Sequence, residues 1–167
     1  MLTGNGNPVS MGRMKTKTSL LILALCFAAG TVSFAASPQM GTWKLNGAKS
    51  KIARGTAKNT MVVYQSAFFK TKVTVDGTDA KGKPAHNEWT GNFDGKDYAV
   101  TGDPASDMRA YTKIDDHTMT MTFKKGGKVA GTGKIVVAAD GKSRTLTSHG
   151  TDAAGKKVTS VSVYDKQ

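Results

Sequence analysis

Arg109 and Tyr111 stand two residues apart in a strand-like run, so both side chains project from one face. Turned inward, an arginine beside a tyrosine offers charge-assisted hydrogen bonds to an anionic head group. Lys113 shares that parity, and a solvated outer face is the competing assignment. Unpaired charge inside a protein is costly, so an interior Arg109 needs a partner. Trp89, Phe93, Met119, Met121, Phe123 and Tyr164 supply the apolar lining that a small-molecule pocket requires. With Arg109 and Tyr111 they make up the predicted ligand-binding set. Tyr64, Phe68 and Tyr98 are further aromatic candidates for an interior surface.

Other chemistries are less well served. His86 and Glu88 lie at i and i+2 on one strand face, the spacing of a chelating pair, and His117 and His149 would have to complete a zinc site. Nothing else in the sequence supports a metal, and neither metal nor cofactor is expected. Ser148, His149 and Asp152 are triad residue types, but they crowd around one turn, whereas a triad converges from separate elements. The glycines precede strands rather than helices, so no phosphate-cradling loop is present. A binding protein is expected, not an enzyme.

The elements that hold these side chains begin after an apparent leader. Arg13, Lys15 and Lys17 precede the apolar stretch Leu20 to Gly30, and Ser33-Phe34-Ala35 follows with small residues at −3 and −1. These are the parts of a signal peptide cleaved after Ala35, and they predict a periplasmic or secreted protein. A membrane anchor is the alternative, but the apolar run falls short of the ~20 residues a spanning helix needs. Cys26 lies within that run, yet Leu25 precedes it where a lipoprotein would place a small residue. Met11 and Met14 are alternative starts.

The chain has 167 residues, 24 basic against 12 acidic, and one cysteine, for a formal charge of +12. Residues 1–35 hold three basic residues, no acid and the cysteine, so their removal leaves 132 residues at +9. An exported, cysteine-free chain has no disulfide, no thiol catalysis and no thiolate metal ligand. Stability must come from the core of a single domain, residues 36–167.

That domain is punctuated by turn signals: Asp76-Gly77, Asp94-Gly95, Asp140-Gly141, Ala80 to Lys83, Lys125 to Gly127 and Ala154 to Lys156. Between them lie Thr- and Val-rich runs with a period of two, clearest where Met119, Met121 and Phe123 alternate with Thr118, Thr120 and Thr122. The pattern predicts strands near 41–46, 60–67, 70–77, 84–93, 97–102, 107–115, 117–124, 128–138, 143–150 and 157–165. Ala48 to Lys58 is basic and interrupted by Gly, and it reads as a connection rather than a helix. Successive short hairpins predict an all-β domain, an antiparallel up-and-down β-barrel of about 8–10 strands. A two-layer β-sandwich is the alternative.

The domain opens on Gly41-Thr42-Trp43-Lys44-Leu45-Asn46 and ends on Val161-Ser162-Val163-Tyr164-Asp165-Lys166-Gln167. A G-x-W on the first strand and an aromatic-acidic-basic ending resemble the calycin superfamily, which includes the lipocalins and the fatty-acid-binding proteins. The opening and the extension Ala48-Lys49-Ser50-Lys51 resemble small bacterial secreted lipocalin-like proteins. The resemblance implies an apolar or amphipathic small molecule inside the barrel, with Trp43 structural, closing one end. Fatty-acid binders hold a carboxylate with an Arg two residues before a Tyr on the last strand. Tyr164 fits the Tyr position, but Ser162 stands where the Arg would be. Their helical lid is also missing, since Ala48 to Thr60 is too short for two helices.

Lysines cluster at the predicted tips: Lys81, Lys83, Lys96, Lys124, Lys125, Lys128, Lys142, Lys156 and Lys157. Ordinary solubility accounts for such residues. As a rim they would attract anionic lipid or an envelope polyanion. Nucleic acid is not expected as a partner, because no helix is available to enter a groove. The sequence thus predicts an exported barrel that binds a small apolar or amphipathic molecule, with a basic envelope-interaction protein as the alternative.

Overall fold

A computed structural model of the chain describes residues 3–4 and 37–167. The expected signal peptide lies outside the described residues apart from residues 3–4. Ten strands follow in order: β1 Gly41–Leu45, β2 Lys58–Ala67, β3 Lys70–Thr78, β4 Pro84–Gly91, β5 Tyr98–Thr101, β6 Met108–Lys113, β7 Thr118–Lys125, β8 Lys128–Val137, β9 Ser143–Thr151 and β10 Lys157–Lys166. Every neighbouring pair is antiparallel, and β1 pairs with β10 as well as β2, so the sheet closes into a barrel. Closure removes the exposed edges that the two open sheets of a sandwich would have to protect. Among the described residues no helix is long and apolar enough to cross a membrane.

The hairpins form where short polar side chains hold the backbone. Asp79 Oδ1 accepts the N–H groups of Lys81 and Lys83 at 2.8 and 2.9 Å, and Asp152 Oδ1 accepts those of Ala154 and Lys156, both at 2.9 Å. Asp76-Gly77, predicted as a turn, is not one. The Asp79 turn lies just beyond it, and Gly77 stays inside β3, paired with Asn59 and Ala85. A Cβ on Gly77 would collide with the Lys58 carbonyl beside the bulge in β2, so close backbone approach explains this glycine.

Alternation sends one face of each strand inward. Met119 and Met121 on β7 are buried while the intervening threonines face outward. Trp89 anchors an aromatic cluster: its ring lies 4.7 Å from Tyr111 edge-on, 5.7 Å from Tyr98 and 6.2 Å from Phe93. The Trp89 indole N–H donates to the Arg109 carbonyl at 2.9 Å. Gly91 leaves room for this cluster, since a Cβ there would strike the Tyr98 and Trp89 rings.

Strict up-and-down order gives the barrel two distinct ends. One carries the β2–β3, β4–β5, β6–β7 and β8–β9 turns together with residues 37–40. Here Gln39 is buried, its side-chain amide donating to the His117 carbonyl at 3.0 Å, and its backbone carbonyl accepts from the Trp43 indole at 3.0 Å. Trp43 thus packs in the interior near this end. The opposite end carries the β5–β6 loop and the β1–β2 connection. That connection holds only one three-residue 3-10 turn, Gly47–Lys49, and is tied to β10 through a Lys51–Val161 bridge and a hydrogen bond from the Ala53 N–H to Ser160 Oγ at 3.0 Å.

Phe68 is not an interior residue. The β2–β3 loop has two residues between the paired Ala67 and Lys70, and both Phe68 and Phe69 stand fully in solvent. Aromatic identity favours a core, but position at a two-residue hairpin tip overrides it.

Candidate functional site

Two arginines are buried in the barrel, and they come from opposite ends. Arg109 stands at the start of β6 by the β5–β6 loop, and Arg144 at the start of β9 by the β8–β9 turn. Inward parity explains both: Arg109 shares its face with Tyr111, and Arg144 with Leu146. Lys113 continues the Arg109 face but leaves the interior at the strand end, where its ammonium meets Asp116 at 2.6 Å. Shared parity therefore does not put Arg109 on an outer face.

Arg109 is 4% exposed and has its counter-charge in the chain. Its Nη2 donates to Asp103 Oδ2 at 3.1 Å, and Nη1 and Nη2 reach Asn87 Oδ1, both at 3.4 Å. Asp103 is held by the Ser106 hydroxyl at 2.6 Å and the Ala105 N–H at 2.9 Å. The guanidinium also lies 5.3 Å from the Phe123 ring.

Arg144 is 3% exposed, and among the described residues it makes no salt bridge. Its guanidinium carbon lies 4.7 Å from the Trp43 and Tyr64 ring centroids and 5.1 Å from that of Tyr164. Three aromatic faces stabilise a cation, but they accept no conventional N–H hydrogen bonds. Its Nε and Nη1 are buried without an acceptor. A buried donor in that state costs the desolvation of the group, more so when it is charged.

Both arginines line one cavity of about 40 Å³, where Tyr64, Tyr111, Tyr164 and Asn59 add polar atoms. At ~10–15 Å³ per water this is room for about three water molecules. Burial pushes the Tyr111 and Tyr164 hydroxyls up; the Arg109 cation opposes this at Tyr111, and the Arg144 cation opposes it at Tyr164. Both tyrosines are therefore neutral donors across the physiological range. The Tyr164 hydroxyl donates to the Asn59 carbonyl at 3.3 Å. Two permanent cations and neutral hydroxyls around so small a volume suit one anionic group of a few atoms.

Of the predicted ligand-binding residues, Arg109, Tyr111, Met121, Phe123 and Tyr164 line this cavity. Trp89, Phe93 and Met119 do not; they pack in the core around it. Arg144, Asn87 and Asp103 escaped the sequence reading. The missing signal is cross-strand register: Arg144 pairs with Tyr164, so an arginine stands beside that tyrosine from the neighbouring strand although Ser162 occupies the position two before it.

The remaining candidates stay apart. His86 Nδ1 meets Asp76 Oδ1 at 2.7 Å and Glu88 meets Lys72 at 2.6 Å, an exposed network on the outer faces of β3 and β4. The His149 ring contacts the Thr159 hydroxyl at 2.9 Å, and the His117 ring the Val137 carbonyl at 3.2 Å. Among the described residues no group of three or more His, Cys, Asp or Glu could hold a metal ion. Asp152 caps its own turn, away from triad work. At the lysine-rich tips acids are interleaved: Lys124 pairs with Asp97 at 2.6 Å and Lys96 with Asp94 at 3.9 Å. The rims are mixed in charge.

The closed ten-stranded antiparallel barrel is compatible with a calycin-like architecture. No protein-family model matches the chain, and no curated protein matches it significantly.

Proposed function

We propose that this chain is an exported, calycin-like binding protein without catalytic activity, and that its barrel takes up a small carboxylate with Arg144 as the counter-charge. One observation carries this: a buried guanidinium has two N–H groups with no acceptor and no acidic partner, and it lines a cavity. The free Nε–H and Nη1–H groups belong to different edges of the planar guanidinium, so a carboxylate placed there would accept from one of them, at the edge that group shares with Nη2. Met121, Ile135 and Leu146 offer an apolar surface for a short carbon chain. The volume of about 40 Å³ admits a head group and little more, so a long acyl chain is a poor fit.

Isothermal titration of acetate, propionate, butyrate and octanoate into wild type and Arg144→Met tests this. The expected result is one site per chain in wild type, affinity falling with ligand length, and no binding to Arg144→Met. Equal binding by wild type and variant would remove Arg144 from the site.

A further inference from the structure

We propose that the β2–β3 hairpin tip, Phe68-Phe69, inserts into an anionic lipid surface and anchors the barrel there reversibly. This goes beyond the interior carboxylate site and does not depend on it.

Phe68 and Phe69 are 104% and 97% exposed, so neither ring packs on the protein. Turn chemistry does not call for them either. Phe68 has φ +54, the only positive φ of a non-glycine residue among the described residues. A two-residue hairpin loop with positive φ at its first central position, as in a type II′ turn, favours glycine there. A bulky side chain in that conformation is strained. The tip therefore combines an unfavourable backbone with unburied aromatic area, and neither contributes to folding.

Size decides between a lipid surface and a protein partner. Two phenyl rings bury roughly 400 Å² when fully covered, about half of the ~800 Å² that each partner contributes to a standard-sized protein interface. A bilayer closes around any apolar protrusion, and an interfacial anchor reaches only ~5–10 Å into the headgroup and acyl boundary. Charge selects the anionic surface. Residues 36–167 carry a formal +9, and Lys70 follows the tip directly. Lys70 is held 5.7 Å from the Tyr98 ring, beside the hairpin base. The nearby acids of the β4–β5 connection, Asp94 and Asp97, are already paired with Lys96 and Lys124. Weak apolar insertion and diffuse attraction together give salt-sensitive, reversible binding.

The test is sedimentation with phosphatidylglycerol–phosphatidylcholine vesicles, against phosphatidylcholine alone. Protein is recovered identically from expressing cells for every variant, so any contribution from residues 1–35 is common to all. Phe68→Gly/Phe69→Ser suits the turn, and its melting temperature should equal or exceed that of wild type. Wild type should bind the anionic vesicles more tightly than the neutral ones. The double variant should bind at least about tenfold more weakly. A Phe69→Trp reporter should be quenched by brominated lipid, because Trp43 and Trp89 are buried away from the surface. Undiminished binding by the double variant would overturn the proposal. So would absent wild-type binding at low salt, an unquenched reporter, or tip-dependent self-association without lipid. Arg144 is intact throughout, so failure here leaves the carboxylate site standing, and the reverse also holds.

Discussion

Arg109 and Arg144 reach the same cavity from opposite ends of the barrel, equally buried, yet they are compensated in different ways. Arg109 has Asp103 at 3.1 Å and Asn87 at 3.4 Å, and the loop around Asp103 is itself pinned by Ser106. Arg144 has three aromatic faces and no carboxylate. Arg109 has its counter-charge within the fold, and only its Nε is buried without a hydrogen-bond partner. On the proposed reading, the carboxylate of a bound ligand balances Arg144. The contrast shows one residue type buried in two ways along a cavity, by a carboxylate at one end and by aromatic faces at the other.

Breaking the Arg109 arrangement should have the largest effect. Asp103→Ala leaves a buried guanidinium without its counter-charge, and we expect a loss of about 3 kcal/mol in urea unfolding. Arg144→Met should do the opposite. It replaces a buried cation that has no ion pair with an apolar side chain of similar length, so stability should be unchanged or higher by about 1 kcal/mol. A loss matching that of Asp103→Ala would make Arg144 structural and erase the distinction. Ligand linkage sharpens it further. A short carboxylate at a hundred times its dissociation constant should stabilise wild type by about 2.7 kcal/mol in thermal unfolding and leave Arg144→Met unmoved. Tyr164→Phe keeps the ring facing Arg144 but removes the hydroxyl bond to the Asn59 carbonyl, at a cost of about 1 kcal/mol.

The smallest effect belongs to the outer surface. The hydrogen bond to Asp76 raises the His86 pKa above its ordinary 6.5, with Glu88 helping and desolvation opposing. Stability from this contact is therefore complete below the unfolded pKa and lost as pH rises through the higher folded value. A proton NMR titration should show His86 titrating above 6.5, and Asp76→Asn should bring it down.

The fold was legible because alternation and turn chemistry agree along nearly the whole domain. Met119, Met121 and Phe123 against three threonines specify both a strand and its buried face. Asp76-Gly77 misled because a glycine required by close approach to Lys58 looks the same as a turn glycine. The site was legible only within single strands. Parity links Arg109 to Tyr111, but it does not say how deep a side chain lies, so Trp89, Phe93 and Met119 pack in the core without lining the cavity. Arg144 required knowledge of which residue of β9 faces Tyr164, and register belongs to pairs of strands.

On the proposed function, Arg144 and not Arg109 takes up an anion. Side-chain arginine NMR reads this directly, following the Nε–H signals of both residues during an acetate titration. The Arg144 signal should shift and saturate with one site while the Arg109 signal stays in place. An Arg144 signal that remains fixed at saturating acetate, or moves only in step with Arg109, would contradict the account.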